Sequence, residues 1–200
     1  MLVTRRCAPR FARGLTLVEL MVTIALVALM LRMAVPAFST MLRNTQVRTV
    51  AESLQAGLRT AQSEAVSRNR LVVFSLTNGT PALGTAAVAN GNSWQVHTIA
   101  RSDGDGATRA FLHGGKLTDS TSGVAITGIA GVCFSSTGRL VSKDPTGVNG
   151  ATCVADGSAV TYDVALTGAD RPLRVQLAPN GRVRMCDPKR TYSSSQPDGC

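Results

Sequence analysis

Residues 13–38 read RGLTLVELMVTIALVALMLRMAVPAF. From Leu15 to Leu31 there are 17 residues, and Glu19 is the one charged residue among them. Seventeen such positions are about the least that spans hydrocarbon as a helix. A lone carboxylate at that depth costs on the order of 3 kcal/mol by insertion scales. An acid kept there needs a cation, and that need constrains what the segment can do.

A cleaved secretory signal also has a basic start and an apolar stretch. Glu19 within the stretch, Arg32 near its end and the lack of an A-x-A site before Ser39 speak against one. A lipoprotein signal fails too, because no apolar run precedes Cys7. A plain membrane anchor fits better. Arg5, Arg6, Arg10 and Arg13 precede the span, and no comparable cluster closely follows it. The positive-inside rule therefore puts the N-terminus in the cytoplasm. Arg32 can snorkel to the far headgroups. Only Glu19 is left unexplained.

Gly14 followed by Leu15-Thr16-Leu17-Val18-Glu19 resembles the processing site of type IV pilins and type II secretion pseudopilins. The resemblance implies that prepilin peptidase removes the leader, residues 1–14, after Gly14 and methylates the new amine of Leu15. It also implies that Glu19, at the fifth mature position, meets the N-terminal amine of a neighbouring subunit during filament assembly. The physics agrees, since a free amine in the same layer supplies the missing cation. Phe is usual where this chain has Leu15, and leucine keeps the apolar character. Pro36 sits where pilin helices often carry a bending proline.

Beyond Pro36 the pattern stays helical. Val47, Ala51, Leu54, Leu58, Ala61 and Ala65 recur at spacings of three and four, which is one apolar stripe. Arg43, Arg48, Glu52, Arg59, Gln62, Glu64 and Arg68 occupy the other faces. One helix is expected from about Leu15 to about Arg68, with a hydrophobic membrane or filament-core half over 15–38 and an amphipathic half over 39–70. The segment Ala61-Gln62-Ser63-Glu64-Ala65-Val66-Ser67-Arg68-Asn69 is similar to the helix end of the GspH/FimT branch, with Gln62 replacing the usual Arg. Ser93-Trp94-Gln95-Val96 and the stretch from Gly131-Val132-Cys133-Phe134 to Gly138-Arg139 also fit that branch.

From Leu71 the period changes to two and turn signals become frequent. Strands are expected at 71–76, 94–100, 108–113, 131–135, 139–142, 159–166, 172–177 and 182–186, with loops at 80–92 and 143–158. The fold class is therefore α+β and type IV pilin-like, a long N-terminal helix packed on an antiparallel β-sheet head over 71–200. Cys133, Cys153, Cys186 and Cys200 remain once the leader with Cys7 is removed. An even count without C-x-x-C spacing reads as disulfides in an oxidising compartment. Three pairings are possible, and proximity favours Cys133–Cys153 with Cys186–Cys200. Ser102-Asp103-Gly104-Asp105-Gly106 lacks the distal acid of a calcium loop and reads as a turn. His97 and His113 have no cysteine or carboxylate at metal or triad spacing and read as strand residues. No nucleophile motif or phosphate loop is present, so neither an enzyme nor a cofactor is expected.

Net charge is +9, and losing the leader's four arginines leaves +5. Residues 171–200 hold six basic residues against Asp187 and Asp198, most of that excess. Their hairpin has two registers. A two-residue loop at Asn180-Gly181 mixes apolar and charged side chains on each face. A three-residue loop, Pro179-Asn180-Gly181, pairs Leu177 with Val183 and Val175 with Met185. Leu173, Val175, Leu177, Val183 and Met185 then share one face, and burial selects this register. Gly181 takes the left-handed position. Arg174, Gln176, Arg182 and Arg184 share the other face, with Lys189 and Arg190 just beyond.

Guanidinium forks suit phosphate oxygens, a contact that needs no base sequence. Tyr192 is the only aromatic nearby, which favours backbone contact over base stacking. Gly181-Arg182-Val183-Arg184 is similar to the G-R-x-R motif of DNA-binding minor pilins in the GspH/FimT branch. That resemblance implies double-stranded DNA as a partner, with Arg182 and Arg184 as contacts. Other expected partners are fellow pilins or pseudopilins, prepilin peptidase and, before assembly, the inner membrane, with the head in the periplasm. A structural minor pilin and a type II secretion pseudopilin share the leader, Glu19 and the fold.

Overall fold

A computed structural model describes residue 14 and residues 16–100, 108–117 and 123–200. Leu15 and the 102–106 turn lie outside these residues. Among the described residues one helix and nine strands follow one another: α1 (Leu17–Ser67), β1 (Val72–Thr77), β2 (Ser93–Thr98), β3 (Phe111–Lys116), β4 (Val124–Thr127), β5 (Gly131–Phe134), β6 (Leu140–Val141), β7 (Val160–Leu166), β8 (Leu173–Leu177) and β9 (Val183–Cys186). The chain forms two compact units, one through Ser39 and one from Thr40.

In the first unit Thr16 caps α1. Its hydroxyl accepts the Glu19 N–H (3.2 Å) and its carbonyl accepts the Leu20 N–H (3.1 Å). Pro36 lies inside the helix. Leu17, Val18, Met21, Ile24, Leu29 and Met30 each expose 61–71% of their surface. This part of α1 is long and apolar enough to cross a membrane.

In the second unit Val47, Ala51, Leu54, Leu58, Ala61 and Ala65 are all fully buried, with Val50 beside them. The helix stops because Asn69 turns left-handed (φ 50°). The Arg70 N–H then reaches the Ala65 carbonyl and the Asn69 N–H the Val66 carbonyl (3.1 and 3.2 Å), a Schellman cap. The segment ending Arg68-Asn69 is thus a helix stop. Glu64 adds a tie, accepting from Arg68 and pairing with His113 of β3. Those two hydrogen bonds, Arg68's first, lower its pKa.

The antiparallel strands form two sheets. A five-stranded sheet runs β3-β2-β1-β5-β6 and a four-stranded sheet runs β4-β7-β8-β9, all antiparallel. Phe74, Val96 and Phe134 from the first and Tyr162, Val164, Val175 and Leu177 from the second join α1 in one core. β1 is buried at every position, so the sheet is covered on both faces at this strand. On the outer face Val73, Ile99 and Cys133 pack with Ala87, Val148, Ala151 and Cys153 from the two long loops. Disulfides join Cys133–Cys153 and Cys186–Cys200, with Cα separations of 5.5 and 5.2 Å.

β3 begins three residues later than expected and runs through Gly114 and Gly115. A Cβ at Gly115 would stand 2.8 Å from the Trp94 indole nitrogen, so packing admits only glycine there. β4 was not foreseen. His97 and His113 are strand residues, in β2 and β3. His97 is buried, its Nε2 sits 3.2 Å from the Ala82 carbonyl, and its ring meets the Phe111 edge.

Burial, and to a lesser degree Arg109, lower the His97 pKa from its ordinary 6.5. The unfolded chain then takes up the proton first. Stability from this residue is present above pH 6.5 and is lost as pH falls below it, at up to about 1.4 kcal/mol per pH unit. Urea midpoints at pH 7.5 and 5.5 should differ more for the wild type than for His97→Gln. An equal difference would contradict the assignment.

Candidate functional site

The β8–β9 hairpin adopts the three-residue loop. Val175 pairs with Met185, Gln176 with Arg184 and Leu177 with Val183. The Ala178 N–H donates to the Arg182 carbonyl (2.9 Å), the Gly181 N–H to the Ala178 carbonyl (2.8 Å), and Gly181 has φ 87°. Val175, Leu177 and Val183 are buried, and Leu173 and Met185 are half-buried against the same core. Arg174, Gln176, Arg182 and Arg184 therefore lie on the opposite face, as the pairing requires.

The five basic side chains are not equivalent. Arg174 is half-buried and bidentate to Asp163, its direct partner on β7 (Nε–Oδ1 2.6 Å, Nη2–Oδ2 2.9 Å). The Asp163 hydrogen bonds raise its pKa, so it stays charged, but its fork is occupied. Arg190 bridges Asp198 (2.8 Å) and Asp187 (3.6 Å). Lys189 donates to the Asp170 carbonyl (3.0 Å), whose own turn is held by Asn44 of α1. Arg184 is half-buried. Its Nη2 donates to the Gly199 carbonyl (2.8 Å), and its guanidinium lies 5.5 Å from the Tyr192 ring centre. Arg182 is exposed, and its side chain has no partner among the described residues.

The C-terminal segment sets much of this pattern. The Cys186–Cys200 disulfide closes it, and backbone bonds from Asp187 to Asp198 and from Cys200 to Arg190 (2.7 and 2.9 Å) fix its path. That path carries Gly199 to Arg184 and Asp198 to Arg190. Arg184 lies over one face of the Tyr192 ring, which remains 60% exposed. The expected exposed basic face thus reduces to a free Arg182 beside a positioned Arg184. Arg174 and Arg190 are tied to carboxylates that flank them across the sheet and the loop.

The hairpin end is anchored. Gln62 of α1 donates to the Gly138 carbonyl (2.8 Å), and the Leu140 N–H donates to the Pro179 carbonyl (3.1 Å). Gln62, where arginine is usual in the branch, thereby joins helix, β5–β6 turn and hairpin. Sequence patterns did not point to it as a site residue. Glu19 lies on an otherwise apolar helix surface with its carboxylate exposed and without a partner among the described residues. Gly14 is exposed just before the cap. Among the described residues no group of three or more metal-ligating side chains occurs.

The sequence profile described as "Type II transport protein GspH" matches residues 50–181, and the "Prokaryotic N-terminal methylation motif" matches residues 9–34. No curated protein sequence matches the chain. The type IV minor pilin FimU of Pseudomonas aeruginosa, in its P21 crystal form, is 18% identical, with a TM-score of 0.50 over 74% of this chain and 96% of that one. The minor pseudopilin EpsH from the Type 2 Secretion System of Vibrio cholerae is 14% identical, with a TM-score of 0.44 over 72% of this chain and 99% of that one. The FimU likeness is one of fold, the long helix on an antiparallel sheet domain. The chain belongs to the GspH family, with the N-terminal methylation motif that marks it as a pilin-type or pseudopilin-type subunit and not an enzyme.

Proposed function

We propose that this protein is a minor pilin of a type IV pilus that binds double-stranded DNA through its C-terminal hairpin for uptake in natural transformation. The leader is cut after Gly14, Leu15 is methylated, and Glu19 pairs with a neighbouring subunit's amine as the chain leaves the inner membrane. The observation that supports DNA contact is the anchored hairpin end. It offers Arg182 free of acids beside Arg184, whose orientation the 186–200 segment maintains. A guanidinium held as that of Arg184 is loses little freedom on meeting phosphate, and the contact is indifferent to base sequence. Lys189 adds positive potential more than a direct contact, and the charges of Arg174 and Arg190 are balanced by their aspartates.

A second reading has its own support. The pairing of Arg174 and Arg190 with aspartates suits a structural minor pilin, or a GspH-type pseudopilin of type II secretion, that never meets nucleic acid. Cells lacking the gene separate the readings. Wild-type protein should restore transformation, and Arg182→Ala/Arg184→Ala should leave pili assembled yet lower transformation at least tenfold. A loss of protein secretion with transformation intact would refute the pilus reading.

A further inference from the structure

The hairpin end meets a second turn of the same construction. In the β5–β6 turn the Ser135 N–H donates to the Arg139 carbonyl (2.9 Å) and the Gly138 N–H to the Ser135 carbonyl (2.8 Å). These are the bonds that Ala178, Arg182 and Gly181 make in the β8–β9 turn. Gly138 has φ 75°, matching the 87° of Gly181. Each turn is a three-residue loop closed by a left-handed glycine and followed at once by arginine.

The two turns touch. A Cβ on Gly181 would overlap the Gly138 carbonyl oxygen and the Gln62 amide, and Gly181 is buried there. The Leu140–Pro179 backbone bond and the Gln62–Gly138 bond fix the arrangement. Arg139 and Arg182 therefore occupy equivalent places on two contacting turns. Both are exposed, and neither guanidinium has a partner among the described residues.

We infer that Arg139 is a further phosphate-contact residue, acting with Arg182 across the junction of the two turns. The inference rests on the DNA-binding reading and extends the surface from the last hairpin to the β5–β6 turn. Two unpaired cations on a braced junction suit a phosphodiester backbone, because each can neutralise a phosphate without first breaking a salt bridge.

The test is binding of a fluorescent duplex by the full chain in detergent at low and moderate salt. Arg139→Ala should weaken binding about tenfold at low salt. It should reduce the slope of log affinity against log salt by about one phosphate's share, as Arg182→Ala does. Arg48→Ala removes the same charge about 20 Å along α1 from Gln62 and should leave the slope unchanged. Arg139→Gln keeps the aliphatic stem and should repeat the Arg139→Ala result at an unchanged thermal midpoint. If both Arg139 variants behave like Arg48→Ala while Arg182→Ala loses binding, the inference is overturned and the DNA reading stands. If the wild type does not bind, or Arg182→Ala changes nothing, the DNA reading falls and takes the inference with it.

Discussion

Gly181→Ala is expected to destabilise the head by about 2–5 kcal/mol. A left-handed alanine costs roughly 1–2 kcal/mol, and overlap with packed neighbours adds about 1–3 kcal/mol. The neighbour here is the Gly138 backbone carbonyl, which cannot rotate away, and the Gln62 amide is close behind it. Gly157 separates the two contributions. It has φ 89°, but no atom lies within 4 Å of the place an alanine methyl would take, so Gly157→Ala should cost only the conformational part. Urea unfolding of both variants gives the comparison. The Gly181 variant should also bind DNA poorly at temperatures where it remains folded, because both arginine-bearing turns must shift. Equal costs for the two variants would mean that the turns do not brace one another.

Glu19→Ala is expected to uncouple processing from assembly. The variant keeps the leader and Gly14, so the proposed cleavage after Gly14 should proceed. What it loses is the carboxylate proposed to meet a neighbour's amine. That amine would then sit unpaired in an apolar layer, at a cost on the order of 3 kcal/mol, or about a hundredfold in incorporation. Immunoblots of sheared filaments against membranes should show mature protein retained in the membrane. Glu19→Gln should fail similarly, because it keeps the shape and loses the charge. Normal incorporation of either variant would remove the pairing argument.

Much of the fold was legible because burial imposes periodicity. The stripe from Val47 to Ala65 has the helical period, and every member is buried. The hairpin register followed from the one pairing that gives a uniformly apolar face, and the pairs from Val175–Met185 to Leu177–Val183 agree with it. β4 escaped notice because Val124–Thr127 is four residues long, too short for alternation to stand out, although Gly123 and Gly128 bracket it. β3 was displaced because Gly114 and Gly115 argue against a strand unless Trp94 and Pro81 are known to lie over them.

The candidate site was legible in its residues but not in its charge balance. Register fixes which arginines share a face, and it says nothing about acids arriving from a third strand. Asp163 could have been found. Tyr162 and Val164 point into the core, so Asp163 points out, beside Arg174 once β7 pairs with β8. Asp198 could not, since only the closed Cys186–Cys200 loop brings it to Arg190. The contact between the Gly138 and Gly181 turns was hidden for a similar reason. They belong to different sheets, and the Leu140–Pro179 backbone bond together with Gln62 of α1 holds them together.

The most direct test of the DNA-binding account is equilibrium binding of double-stranded DNA by the wild-type full chain across a salt series, with two unrelated duplexes. The account predicts a straight fall of log affinity against log salt, alike for both sequences, because phosphate contacts release counterions and read no bases. Absence of binding by the folded chain at low salt, or binding that ignores salt, would contradict it.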